Sequence, residues 1–166
     1  RERLVGASVV SRHRDPTHGT HHAADAARVF ATLGLAPAVT SSDVTTPSQL
    51  THTVRFHVRL RAPRAAAAVV ADLAAHPRLA TTAKFDSNRV FELGRRYGFQ
   101  GRLFAHAIVV ANDLLISGRS VKGWAFVPQE GNTLLSTLEA FLLQTRPAEA
   151  APIAARIAAD LVARRL

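Results

Sequence analysis

Eight histidines and no cysteine define the chemistry open to this 166-residue chain. Without a thiol there is no thiolate nucleophile, no disulfide and no sulfur ligand for a metal. Imidazole is the remaining group that can exchange protons near neutral pH. His52 stands just after a Thr-Thr-Pro-Ser turn, at the entrance to a strongly alternating segment. It shares parity with Val54, Phe56, Val58 and Leu60, so the pattern places it on the core side, where the plain expectation is a buried histidine bonded to a backbone carbonyl. His57, five residues on, falls on the opposite face, and the two rings cannot converge on one metal or substrate atom. His13, His18, His21 and His22 crowd a short stretch, but without helical or strand spacing and without a cysteine they form a weak ligand pattern. They are expected in a polar loop, and no metal site is assigned.

The formal charge is +9, carried almost wholly by arginine, with Lys84 and Lys122 the only lysines. Those arginines are scattered and aromatics make up 6% of the chain, so the interleaved basic and aromatic pattern of a single-strand binder is missing along the sequence. Nucleic acid is not the expected partner. A chain beginning at Arg1 and lacking methionine is expected to be a processed or excised piece of a longer protein. No stretch resembles a signal peptide or reaches the length of a membrane span, which suggests a soluble cytoplasmic domain.

The elements that must position these groups follow from periodicity and punctuation. Residues 4–10 read as a buried strand that stops at Asp15-Pro16. A helix is expected over 23–33 with Gly34 as its stop, then a strand over 38–44. The alternating strand follows, apolar on one side and bearing Arg55, His57, Arg59 and Arg61 on the other. An alanine-rich helix over 64–75 ends before Pro77. Asp86 or Ser87 caps a helix carrying Val90, Phe91, Leu93 and Tyr97. Strands over 106–111, 114–116 and 121–127 are separated by the hairpin signals Asn112-Asp113 and Ser117-Gly118. A helix over 133–144 and a final amphipathic helix beyond Pro147, with Ile153, Ile157, Leu161 and Val162 on one side, complete the chain. This makes an α+β domain with a mixed, mainly antiparallel sheet and helices packed on one face. The length favours one domain over residues 1–166. The face bearing Arg55, His57 and Arg59 is too polar for a core, so it is either solvated or buried against another subunit.

Four stretches, in order, resemble the catalytic C-terminal domain of the type II, archaeal-type glyceraldehyde-3-phosphate dehydrogenases. They are Arg12 with Asp15-Pro16, Thr20-His21-His22, Thr46-Pro47-Ser48-Gln49-Leu50-Thr51-His52 and Pro128-Gln129-Glu130-Gly131. The resemblance runs over residues 4–143. It implies an oxidoreductase that forms a thioester with an aldehyde substrate, passes a hydride to NAD or NADP and releases an acyl phosphate. By the same resemblance His52 is the catalytic imidazole, Thr20, His21 and His22 bind the substrate phosphate, and Arg12 and Gln129 lie against the cofactor. The cofactor itself would be bound mainly by an N-terminal dinucleotide-binding domain that this chain lacks, and a homo-oligomer would form through the Arg55, His57 and Arg59 face. This sequence departs from the family in having Ser11 for one arginine of a pair, Pro128 for a histidine, and a shortened loop between Pro16 and His21. The family's cysteine lies upstream of Arg1. Two other readings fit the same residues: a non-catalytic relative serving as an interaction or oligomerisation module, and a basic polyanion-binding domain using Arg55, His57, Arg59 and Arg61.

Overall fold

The computed structural model describes residues 8–47, 51–96, 106–128, 131 and 133–161. Its contacts divide the chain into two compact units, Arg1–Gln49 and Leu50–Leu166.

In the first unit a short strand β1 (Val9–Val10) pairs antiparallel with β2 (Val44–Thr45), and helix α1 (His21–Thr32) lies between them in sequence. The expected strand over residues 4–10 is thus seen only at its end. Val9 and Val10 are exposed rather than buried, and residues 4–7 lie outside the described residues. The strand expected over 38–44 is confined to β2, because the backbone before it is engaged elsewhere. Ser41 N–H donates to His18 O at 2.9 Å, and the Val39 carbonyl accepts from His18 Nδ1 at 2.9 Å. Gly34, at φ +68°, follows the helix where its conformational freedom predicts a stop.

The second unit begins with β3 (Thr51–Arg59), α2 (Ala66–Ala75), β4 (Leu79–Thr82), α3 (Ser87–Arg96) and β5 (Ala107–Val110). After a 3-10 turn at Ala111–Asp113 come β6 (Leu115–Ser117), β7 (Ser120–Pro128), α4 (Leu134–Thr145) and α5 (Ala150–Leu161). The five-stranded sheet runs β3-β7-β5-β4, with β6 also on β7. One edge of β7 carries β3 along its whole length, while the other is shared: β6 takes Ser120 to Lys122 and β5 takes Ala125 and Phe126. Only β4 and β5 are parallel, so the fold is α+β with a mixed, mainly antiparallel sheet. The Ser117-Gly118 signal closes the β6–β7 hairpin, with Gly118 at φ +57°. Asn112-Asp113 makes the 3-10 turn instead of a hairpin, since β5 and β6 both pair with β7.

Ala80, Ile108 and Phe126 share one sheet face through their register, and with Val110 and Val90 of α3 they form the main apolar cluster. Asp86 Oδ1 accepts from Asn88 N–H at 2.8 Å and caps α3 as the sequence predicts. A second cluster joins α4 to α5 through Leu142, Ala150 and Ala154, with Leu138 and Ile153 packed against it. Among the residues expected on these apolar flanks, Tyr97 and Val162 lie outside the described residues.

The central alternating strand forms, but its burial differs from expectation. Val54 is 39% and Val58 48% exposed, and His52 is exposed too. The core-histidine expectation for His52 is therefore overturned. The reason is topological: β3 ends the strand order, so apolar parity tells which side chains share a face without telling what covers that face.

Gly19 shows how closely the first unit is packed. It holds φ +81°, and a Cβ there would lie 2.3 Å from the Ser41 carbonyl oxygen. Gly19→Ala is expected to lower stability by about 2 kcal/mol or more, measured by urea unfolding, whereas Gly34→Ala, with open space around its Cβ, pays only for its φ of +68°.

Candidate functional site

The histidines of the first unit are set by a turn and a helix start. Asp15 Oδ1 accepts from the Thr17 and His18 amides, each at 2.8 Å, closing an Asx turn across the Asp-Pro step. The chain then passes through Gly19 into Thr20, the N-cap residue of α1. Ser41, to which sequence reasoning assigned nothing, organises this junction. Its hydroxyl shares a 2.6 Å hydrogen bond with Thr20 Oγ1 and accepts from Ala23 N–H at 3.1 Å. No periodic or motif signal marks it, because its partners are 18 and 21 residues away.

This junction separates the three residues expected at the substrate phosphate. Thr20 is 5% exposed and its hydroxyl is committed to Ser41, so it shapes the site from within. His21 and His22 are exposed, their ring centroids 3.9 Å apart, as the first two residues of α1. The first helical turn contains no carboxylate. With the Ala23 amide given to Ser41 Oγ and the Ala24 amide to Thr20 O, the His21 and His22 amides take no partner among the described residues. Two imidazoles and a helix N-terminus make a local environment that favours an anion. Arg12 is exposed and belongs to the same unit, whereas His13 and His18 are tied down by Ser42 Oγ and the Val39 carbonyl.

In the second unit His52 opens β3. Its rung is His52 opposite Val127, and the rung before it is Thr51 opposite Pro128. The chain leaving β7 therefore departs at the sheet end where β3 enters. Gln129 is the next residue, and it lies outside the described residues. Thr51 is buried beneath this end, while the His52 imidazole is exposed and takes no hydrogen bond among the described residues. A ring so placed can accept and return a proton.

The opposite face of β3 and β7 is also built from facing pairs. Arg55 stands opposite Trp124, His57 opposite Lys122 and Arg59 opposite Ser120. Sequence reasoning identified the first column and missed Trp124, which lies far away along the chain and meets Arg55 only through the ladder.

Among the described residues no group of three or more His, Asp or Glu side chains could hold a metal ion, and no helix is long and apolar enough to cross a membrane. No protein-family model matches the sequence, and no curated protein matches it.

Asp15 gives the first unit a pH dependence. The His18 and then the Thr17 amide hold its carboxyl below the ordinary carboxylate value. A depressed native value stabilises the fold fully above the unfolded-state value, and the contribution disappears as the pH falls through the native one. Asp15→Ala is therefore expected to melt at a lower temperature than the parent at pH 7, with the gap closing in acid below the usual carboxylate range, as followed by circular dichroism.

Proposed function

We propose that this chain is the catalytic, substrate-binding part of an NAD- or NADP-dependent aldehyde dehydrogenase of the glyceraldehyde-3-phosphate dehydrogenase type, working on a small phosphorylated aldehyde. The observation that carries the reading is the exposed His52 at the entrance of β3, one rung from Pro128 and thus at the sheet end from which Gln129 follows. A proton-transfer group on the first turns of a rigid strand is held in position by the ladder behind it, while its ring stays open to a substrate.

The thiolate that forms the thioester must come from residues outside these 166, since the chain has no cysteine. His52 takes the proton from that thiol, returns it to the aldehyde oxygen as the thiolate adds to the carbonyl carbon, and takes it back from the adduct's hydroxyl as that carbon is oxidised. NAD or NADP, when bound, accepts the hydride. By the resemblance, a separate dinucleotide-binding domain would hold the cofactor, this chain having no Gly-x-Gly-x-x-Gly loop, and Arg12 and Gln129 are the residues of this chain that the resemblance assigns to the cofactor. Within the first unit, His21, His22 and their amides at the start of α1 are by themselves a candidate anion site, to which the resemblance assigns a phosphate, and Thr20 and Ser41 fix that helix end. Such an enzyme would act in the cytoplasm.

The test is kinetic. The 166-residue chain alone should not reduce NAD or NADP with a phosphorylated aldehyde. The polypeptide that unites it with a thiol-bearing dinucleotide domain should do so, and His52→Asn in that polypeptide should slow single-turnover hydride transfer about a hundredfold with its melting temperature unchanged. Turnover by the chain alone, or a full rate in His52→Asn, would overturn the assignment.

A further inference from the structure

The strand face away from His52 has its own chemistry. Along β3 it presents Arg55, His57 and Arg59; along β7, Trp124, Lys122 and Ser120; and along β6, Leu115 and Ser117. Trp124 is 39% exposed and Leu115 62%, although Phe126, two residues along β7, is buried in the main cluster. The cluster with α3 thus fills one end of this face and leaves the other open.

Two features make the open end more than a solvated strand. The strands β3, β6 and β7 contain no aspartate or glutamate, and none of the ion pairs among the described residues involves Arg55, Arg59 or Lys122. Elsewhere arginines do find carboxylates: Arg64 pairs with Asp72 at 2.7 Å and Arg78 with Glu139. Among the described residues, then, the cations of this face have no ion-pair partner, and they stand around an indole. Arg55 lies directly across from Trp124, and Lys122 is two residues from it on the same side of the strand. Arg55 and Arg59 are separated by roughly 13 Å along the strand.

We propose that this face binds single-stranded nucleic acid, with an unpaired base stacked on Trp124 and successive phosphates on Arg55, Lys122 and Arg59. Charge complementarity selects the partner. Phosphates supply the negative charge that the three strands lack, and the indole supplies a stacking platform that any base can use. A second copy of the chain fits less well, because a two-fold contact through this face would set arginine and lysine against arginine and lysine with no carboxylate between them. A duplex offers phosphates but no free base face for Trp124.

The proposal does not depend on the dehydrogenase reading, and its test uses the 166-residue chain with fluorescein-labelled 12-mers of deoxythymidine and of uridine, followed by anisotropy with light scattering in parallel. Binding should weaken with salt at a log–log slope of about −2, from three phosphate contacts at about 0.7 each. Trp124→Ala should weaken it about tenfold. Arg55→Glu with Arg59→Glu should abolish it, whereas Arg146→Glu with Arg156→Glu, the same charge change on exposed residues of the helical region, should leave most of it. Preference between the two oligomers tells DNA from RNA. No binding at 50 mM salt would overturn the proposal, as would equal losses in the two glutamate pairs, which would show general attraction to a basic protein. A fall in mass on Arg55→Glu with Arg59→Glu, without nucleic-acid binding by the parent, would assign the face to a second copy instead. Because Trp124 is already substantially exposed, Trp124→Ala is a variant that folds even if the charge reversals do not.

Discussion

Nine antiparallel rungs between Thr51–Arg59 and Ser120–Pro128 carry the architecture on which everything else depends. Side chains along a strand alternate between faces, so a slip of one residue would exchange every group on one face for its neighbour on the other. Phe56 and Gly123 hold the register in place. They face each other across the ladder, and a Cβ at Gly123 would lie 2.8 Å from Phe56 Cζ and 2.7 Å from Leu114 Cδ2. A side chain at Gly123 would push the Phe56 ring or the Leu114 side chain aside, and moving either strand by one residue would bring the ring against Lys122 or Trp124.

That register distributes the chemistry. On one face it sets His52 beside the exit of β7, at an end of the sheet where its ring is exposed. On the other it gathers residues from distant parts of the chain into a cationic surface around an indole. The two proposed roles use opposite faces of the same pair of strands, and parity alone separates their residues. The first unit works on a different principle: the Asp15 turn, Gly19 and the Ser41 hydroxyl shape a helix start that presents His21 and His22.

Elements marked by strong local chemistry were legible in the sequence. The alternation from Val54, the Asp86 cap and the Ser117-Gly118 turn each describe a preference that a few residues satisfy among themselves. The α+β class followed from them. β4 was not legible, because its buried positions are Ala80 and Thr82 and no apolar run announces it. The apolar parity of β3 was legible but its exposure was not, since burial depends on what the rest of the chain brings to that face. The sequence offers Thr20 as a candidate, but its burial depends on Ser41, which no spacing connects to it. Trp124 was invisible as a partner of Arg55 for the same reason: the aromatic and basic residues interleave across strands, not along the chain.

The absence of cysteine allows the ladder to be tested directly. Paired residues in an antiparallel ladder have Cα atoms about 4.5 to 5.5 Å apart, within the range that a disulfide spans. With Arg55→Cys and Trp124→Cys in one chain, mild oxidation should give an intramolecular disulfide, read as a loss of two thiols by mass spectrometry after alkylation. Arg55→Cys with Ala125→Cys sets the thiols on opposite faces and should stay reduced. A disulfide in the second pair and none in the first would contradict the register, and with it the placement of both His52 and the Arg55–Trp124 surface.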